Sequence, residues 1–475
     1  MIFTRKAFAL TLTIAISFGA ESSAVAYPKK APIQAPALPG AQPISDNDRV
    51  YTADQDSNTV TVVNPKTNTV LGTIPLGSVR MDTTKDVLGA MYHGEINVHG
   101  LGFSRDGRYL CVINVTTNSV YVFDTATNKI LSTVYLGRAP HEGFFSPDGR
   151  ELWVAERGMD TIAIVDWRQN RVVDRIVSED GPSKILFSPD GKLAYVNHLH
   201  ADALDVVDVA KRRIIQHVAI PTDAGGSSDM AVSPDGKEIW LGMPINGKTT
   251  TVVNAETFKV AAVMDTGPRT NHPNFVTVNG INYAYVTVGD LNQTLVYRRS
   301  PNGGPPTLVT RINNSGGGPH GIWPSPDNTR IYVALQYADA MDVIDTKTMK
   351  VIQTLPIGQS PMALVYVARP DPGSSTGLSS QGLNQKNVYL TLDVQGTTGT
   401  GHAQVRAMPG IDEIIVDVRG LPANSKFTAY ATNGQQTVAL LTSTSNAMGA
   451  MAEAMAFVHF FANNFNKIII KPAAS

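Results

Sequence analysis

The chain has 475 residues, 43% apolar and 17% charged, which excludes wholesale disorder and asks for two or three domains. Lys and Arg number 39 against 40 acidic residues, so the basic excess of a nucleic-acid-binding protein is missing and no nucleic acid is expected. The single cysteine, Cys111, excludes internal disulfides, a cysteine-based zinc site and a covalent c-type haem. Its apolar neighbours, residues 109–113, mark it as a small buried hydrophobe.

Residues 1–26 read as a signal peptide. Arg5 and Lys6 form the positive end, residues 7–18 are apolar but too short to span a bilayer, and Ala24-Val25-Ala26 is a small-x-small cleavage site. Cleavage after Ala26 makes the expected mature chain periplasmic or secreted, with no transmembrane segment. Residues 27–45 hold Pro28, Pro32, Pro36, Pro39 and Pro43 and read as an extended leader.

Self-similarity dominates residues 46–370. The turn Ser-x-Asp-Gly recurs at Ser104, Ser146, Ser188 and Ser233, with weaker copies at residues 278–280 and 325–328. Each turn sits among β-rich runs, and the runs that close on Asp124, Asp166, Asp208 and Asp345 read as capped turns. Four short strands per unit of about 40–45 residues are the mark of a β-propeller. Innermost strands begin near His99, His141, Ser183, Asp229, His272, His320 and Pro361. Three-strand groups begin near Arg49, Arg108, Glu151, Leu193, Glu238, Tyr283 and Arg330. The first three-strand group lacks an inner strand and the last inner strand lacks its group. The fold expected is therefore all-β, a seven-bladed propeller closed by three N-terminal strands and one C-terminal strand. Closure removes the sheet edges that recruit other chains.

Residues 371–386, rich in Ser, Gly, Pro and Gln, read as a linker. Residues 387–475 read as a small β-sandwich-like domain, with strand candidates at 388–394, 414–418, 427–431, 438–441 and 467–470. Residues 447–462, rich in Ala, Met and Phe, read as one helix laid on a sheet, with Met451, Met455 and Val458 on a shared face.

Propeller geometry sorts the polar residues. His99, His141, His272 and His320 stand at starts of inner strands, and His198 and His200 at a loop returning to the same, top face. The insertion at residues 78–98 brings His93 and Glu95 to that face. Arg157, Asp229, Arg269 and Tyr337 are further candidates there, and an arginine beside histidines suits an anionic ligand. Converging imidazoles suit a transition metal, or acid–base work on a bound ligand. The plainer alternative makes Pro140-His141 and Pro319-His320 part of the repeat, each ring hydrogen-bonded to a neighbouring blade. No phosphate loop, nucleophile elbow or His-Glu-x-x-His helix is present in the sequence.

Tyr195-Val196-Asn197, Tyr285-Val286-Thr287 and Tyr332-Val333-Ala334 resemble the YVTN family of seven-bladed propellers, over roughly residues 46–370. The resemblance implies the fold. For function it implies a set: binding modules, lactonases, and the propellers of nitrite and nitrous oxide reductases, whose top faces hold haem or copper. The favoured expectation is a non-enzymatic propeller that binds a small molecule or a protein through its top face. The alternative is an enzyme, a lactonase-like hydrolase or a redox protein with a transition metal or non-covalent haem, using the six histidines.

Overall fold

The computed structural model describes residues 43–77, 96–221, 226–244, 248–369, 373–408 and 410–473. The signal segment, most of the proline leader and the insertion carrying His93 and Glu95 lie outside the described residues.

Seven four-stranded antiparallel sheets form the ring. Six are continuous in sequence, at residues 98–135, 140–177, 182–219, 229–265, 270–313 and 319–356, blades one to six here. The closing blade pairs Pro361–Val367 with Arg49–Asp54, then Thr59–Asn64 and Thr69–Pro75. The three-plus-one closure expected from the sequence is thus present. Tyr366 locks it by donating its hydroxyl to buried Asp48 at 2.6 Å.

The repeated turn has one chemistry. The hydroxyls of Ser104, Ser146, Ser188, Ser233 and Ser325 donate to the Asp two residues on, at 2.6–2.7 Å. The same oxygens accept the N–H five residues on, as in Tyr109 and Glu151 at 3.0 Å. Gly191 has φ 72°, which only glycine adopts freely, and a Cβ there would come within 2.6 Å of Pro147 Cγ in the preceding blade's turn. The glycine therefore serves the turn and the contact between blades. The Asp residues at the ends of third strands cap turns as expected: Asp124 Oδ1 accepts from the N–H groups of Ala126 and Thr127, at 2.8 and 2.9 Å.

The C-terminal part is a sandwich of two four-stranded sheets. One is Asn387–Thr391, Thr400–Arg406, Asp412–Arg419 and Met451–Val458. The other is Asp393–Val394, Lys467–Pro472, Lys426–Thr432 and Thr437–Thr444. Val405, Ile414, Val416, Phe427, Phe465 and Ile468 fill the space between them. The helix expected over residues 447–462 is not formed. Met451–Val458 is a strand paired with Asp412–Arg419, with Met451 opposite Val418 and Met455 opposite Ile415. Ala, Glu and Met favour helices in isolation, but a free sheet edge above an apolar core outweighs a preference of tenths of a kcal/mol per residue, a scale of about 0–0.7.

The described residues of the linker are not loose. Ser379 exchanges two backbone hydrogen bonds with Thr73 on the closing blade, and Gln381 Nε2 donates to Gly77 O at 2.6 Å. Arg406 then bolts the sandwich to the ring. Its guanidinium, 1% exposed, is bonded to Asp56, to Asp339 Oδ1 at 3.0 Å and to Gln336 O at 2.9 Å.

Candidate functional site

The inner strands of six blades begin with register shifts. The ladder skips His99 in blade one, His141 and Glu142 in blade two, Ser183 in blade three, Asn271 and His272 in blade five, His320 and Gly321 in blade six, and Met362 and Ala363 in the closing blade. Such bulges release a residue from the pleat and re-aim its side chain. Here they turn side chains to the mouth of the channel.

Ladder pairs define equivalent positions round the ring: Leu101↔Val112, Gly143↔Val154, Ile185↔Val196, Met230↔Leu241, Asn274↔Tyr285 and Ile322↔Val333. Two residues before each first partner lie His99, His141, Ser183, Ser228, His272 and His320. Met362 takes that place in the closing blade. One repeat position therefore builds the rim, and a hydrogen-bonded belt joins several of its members. His99 Nε2 lies 2.7 Å from His141 Nε2, His141 Nδ1 lies 3.0 Å from Ser183 O, Ser183 Oγ donates to Ser228 O at 2.6 Å, and His320 Nδ1 lies 3.1 Å from Met362 O.

These contacts fix the tautomers. Carbonyl oxygens only accept, so His141 and His320 carry their protons on Nδ1. His141 Nε2 then accepts, and neutral His99 donates from Nε2. His99 Nδ1, 2.9 Å from Gln55 Oε1, is then left as an acceptor, which requires the Gln55 amide to be turned with its NH2 towards the ring.

One step deeper lie Glu142, Lys184 and Asp229, from three successive blades. Lys184 Nζ is 3.1 Å from Glu142 and 2.7 Å from Asp229. Asp229 Oδ2 also lies 2.8 Å from His272 Nδ1, which orients that ring and leaves its Nε2 as an acceptor. Burial pushes the Asp229 carboxyl up to about 6 and the Glu142 carboxyl up as well. Burial acts to lower Lys184, but the two carboxylates outweigh it and raise it. Burial, then the Lys184 charge, holds His272 down to about 3, and burial holds His99, His141 and His320 well below the usual imidazole value.

Above this layer opens a cavity of about 340 Å³, walled by the rim, by Arg157 and Arg269, and by Asp417 and Arg419 of the sandwich. That size falls in the range of about 300–1,000 Å³ usual for small-molecule sites. Arg269 pairs with Asp417 at 2.6 Å. Arg157 faces no carboxylate within ion-pair distance among the described residues. It donates to Ser183 Oγ and Ser228 Oγ, while its Nε makes no hydrogen bond. Burial lowers it to about 10, still charged at neutral pH.

Of the sequence candidates, His99, His141, His272, His320, Arg157, Asp229 and Arg269 converge here. His198 and His200 do not. His198 is buried within blade three against Ser178 and Asp205, and His200 lies at the surface beside Asp180. His198 closes the strand Leu193–His198, and His200 stands in the turn after it. Tyr337 sits in the seam with the sandwich, 4.5 Å from the His402 ring and 6.1 Å from that of Tyr389, centroid to centroid. Sequence reasoning missed Glu142, Lys184, Ser228 and Met362, although aligning the repeats finds them by position. Nothing in the sequence announced Asp417 and Arg419, which come from the other domain.

Glu142, Asp229 and His272 bring ligand atoms within 4.8 Å of one another, the one such trio among the described residues. The Lys184 ammonium already bonds both carboxylates, so the trio does not suit a further cation.

Residues 135–354, a little under half of the chain, match the family model described as Lactonase, 7-bladed beta-propeller. No curated protein sequence matches the chain. Among solved structures, the periplasmic gluconolactonase of Pseudomonas aeruginosa is similar at TM-score 0.53 and 19% identity, covering 68% of this chain and 99% of that one. A functionally unknown protein from Desulfotomaculum acetoxidans gives 0.56 and 12%, with the same coverages of 68% and 99%. The Kuenenia stuttgartiensis hydrazine synthase gives 0.50 and 19%, covering 56% and 88%. At these identities the likeness speaks for the fold. The chain is a seven-bladed β-propeller protein, similar over residues 135–354 to the lactonase propellers.

Proposed function

We propose that the cavity at the channel mouth is the active site of a hydrolase acting on a small cyclic ester. The observation that carries this reading is His272, oriented through Nδ1 by Asp229 at 2.8 Å and lining a cavity that also holds the unpaired Arg157. A base held by a carboxylate, in one cavity with a cation, is the arrangement that acyl transfer to water needs. His272 Nε2 takes a proton from water as the oxygen attacks the ester carbonyl. Arg157 faces the developing oxyanion. The ring C–O bond breaks, the leaving alkoxide recovers the proton from His272, and a hydroxy acid remains. The lactonase match and the gluconolactonase likeness support this class.

A second reading has its own observation. Burial holds His272 near 3, which makes it a weak base, and a site of neutral imidazoles beside one free guanidinium suits retention of a small carboxylate without turnover. Export to the periplasm or beyond is part of either reading and rests on residues 1–26. No helix among the described residues is long and apolar enough to cross a membrane.

The test is proton release from a panel of aldonolactones at pH 7, with gluconate binding measured by calorimetry. Turnover above the buffer rate, lowered at least about 100-fold in His272→Asn with the fold retained, supports the hydrolase. Gluconate binding lost in Arg157→Met, without turnover in the wild type, replaces it with the binding reading.

A further inference from the structure

A second cavity, of about 410 Å³, lies in the seam between blade five and the sandwich. Asp417 and Arg419 line both this cavity and the one at the channel mouth, so the two adjoin across a shared wall. The seam cavity is polar in an unusual way. Both carboxylate oxygens of Asp290 are shut from solvent and make no hydrogen bond. Arg419 Nε lies 2.6 Å from Asp290 Oδ2, an ion pair outside hydrogen-bond geometry. His402 Nε2 is likewise shut in and without a hydrogen bond. Buried polar atoms are almost always satisfied in native proteins, and unsatisfied ones in a cavity wall ask for a partner that enters it.

The rest of the lining says what kind of partner. Tyr389 supplies an aromatic wall, and Thr391 and Thr400 stand beside it. Carboxylate acceptors, an imidazole and hydroxyls around an aromatic ring match a neutral ligand with many hydroxyl groups and apolar C–H faces. A second anion does not match, because Asp290 and Asp417 face the same space.

We propose that this seam cavity is a glycosyl subsite, so that the full ligand is a sugar acid, or its lactone, extended by a second sugar ring. The acid end lies at the channel mouth and the added ring between blade five and the sandwich. The inference rests on the proposed function for the position of the acid end. It makes the C-terminal domain a specificity element and gives Asp290, Tyr389 and His402 a role that the chemistry at the rim does not require.

The test compares gluconate with its glycosylated forms, lactobionate, maltobionate and cellobionate, by calorimetry on the full mature chain. Methyl glycosides of the same sugars are titrated separately. The expected result is at least tenfold tighter binding of one disaccharide acid than of gluconate. In His402→Ala and Asp290→Asn that gain falls away while gluconate affinity stays, which also shows that the variants fold. Equal affinities for gluconate and all three disaccharide acids overturn the subsite and leave the channel-mouth reading standing. Methyl glycoside binding that is lost in the two seam variants, in a protein that turns over no lactone, keeps the subsite and removes the hydrolase. Binding of none of these compounds overturns both.

Discussion

The ammonium of Lys184 stands 2.7 Å from the carboxylate of Asp229, one blade further round the ring, and 3.1 Å from that of Glu142, one blade back. Three adjacent blades are thus tied at their inner ends by one buried cation, and removing it leaves two carboxylates in a place that disfavours both charges. Lys184→Met is expected to cost about 3–5 kcal/mol at pH 7.5. At pH 5 the loss is smaller, because burial has raised both acids, Asp229 to about 6, and they take up protons instead. Urea unfolding at the two pH values measures this, and an equal loss at both would show that the cost is one of packing.

The rim imidazoles make stability depend on pH in a defined direction. Burial holds His320 well below its usual value, whereas in the unfolded chain it titrates near about 6.5. Below that pH the unfolded state holds the extra proton, so stability is lost as pH falls. Asp229 works the other way, since its raised carboxyl adds stability at low pH that is lost as pH rises through about 6. The informative quantity is therefore the difference between wild type and His320→Gln. The variant should lose less stability between pH 7 and 5, by up to about 1.4 kcal/mol per pH unit. Parallel denaturation curves across that range would place the proton elsewhere.

Arg406 carries the docking of the sandwich onto the ring. Its partners Asp56, Asp339 and Glu413 are themselves buried, so Arg406→Met takes the cation from three buried acids and is expected to cost about 3–5 kcal/mol. The propeller has its own closure and should remain folded. Protease cleavage within residues 373–386 should therefore appear well before the blades unfold. Simultaneous loss of both parts would show a single cooperative unit.

The closing seam has a weaker lock. Tyr366 donates to Asp48 at 2.6 Å in a buried setting, and hydrogen bonds to charged groups contribute about 1.5–3 kcal/mol. Tyr366→Phe removes one oxygen and leaves Asp48 its contacts with Ser45 and Arg369. A loss in the lower half of that range is expected from thermal unfolding, with the ring still closed.

The blades were legible because their turns are local: Ser, Asp and Gly bond to one another within six residues, so the repeat is written in consecutive letters. The four rim histidines were legible for the same reason, standing at a fixed place in each unit. Lys184 was hidden because a lysine at a strand start resembles any solvated residue until the neighbouring blades supply Glu142 and Asp229. His198 misled because it reads as a loop residue facing the rim, whereas it ends the strand Leu193–His198 with its ring turned to Asp205. The strand Met451–Val458 was read as a helix because its composition speaks of isolated propensity, whereas the unfilled edge beside Asp412–Arg419 is visible only in the folded sheet.

The rim is built from one position in each unit, and in six of the seven blades a bulge accompanies it. Each blade is thus a cassette that delivers one side chain to the mouth together with the backbone kink that aims it. Exchanging a whole blade between related proteins should transplant a recognition residue with its orientation intact. Swapping the side chain alone at Ser228, where the ladder carries no such kink, should not. Diversification of such a ring can proceed by shuffling units, leaving the surface loops untouched.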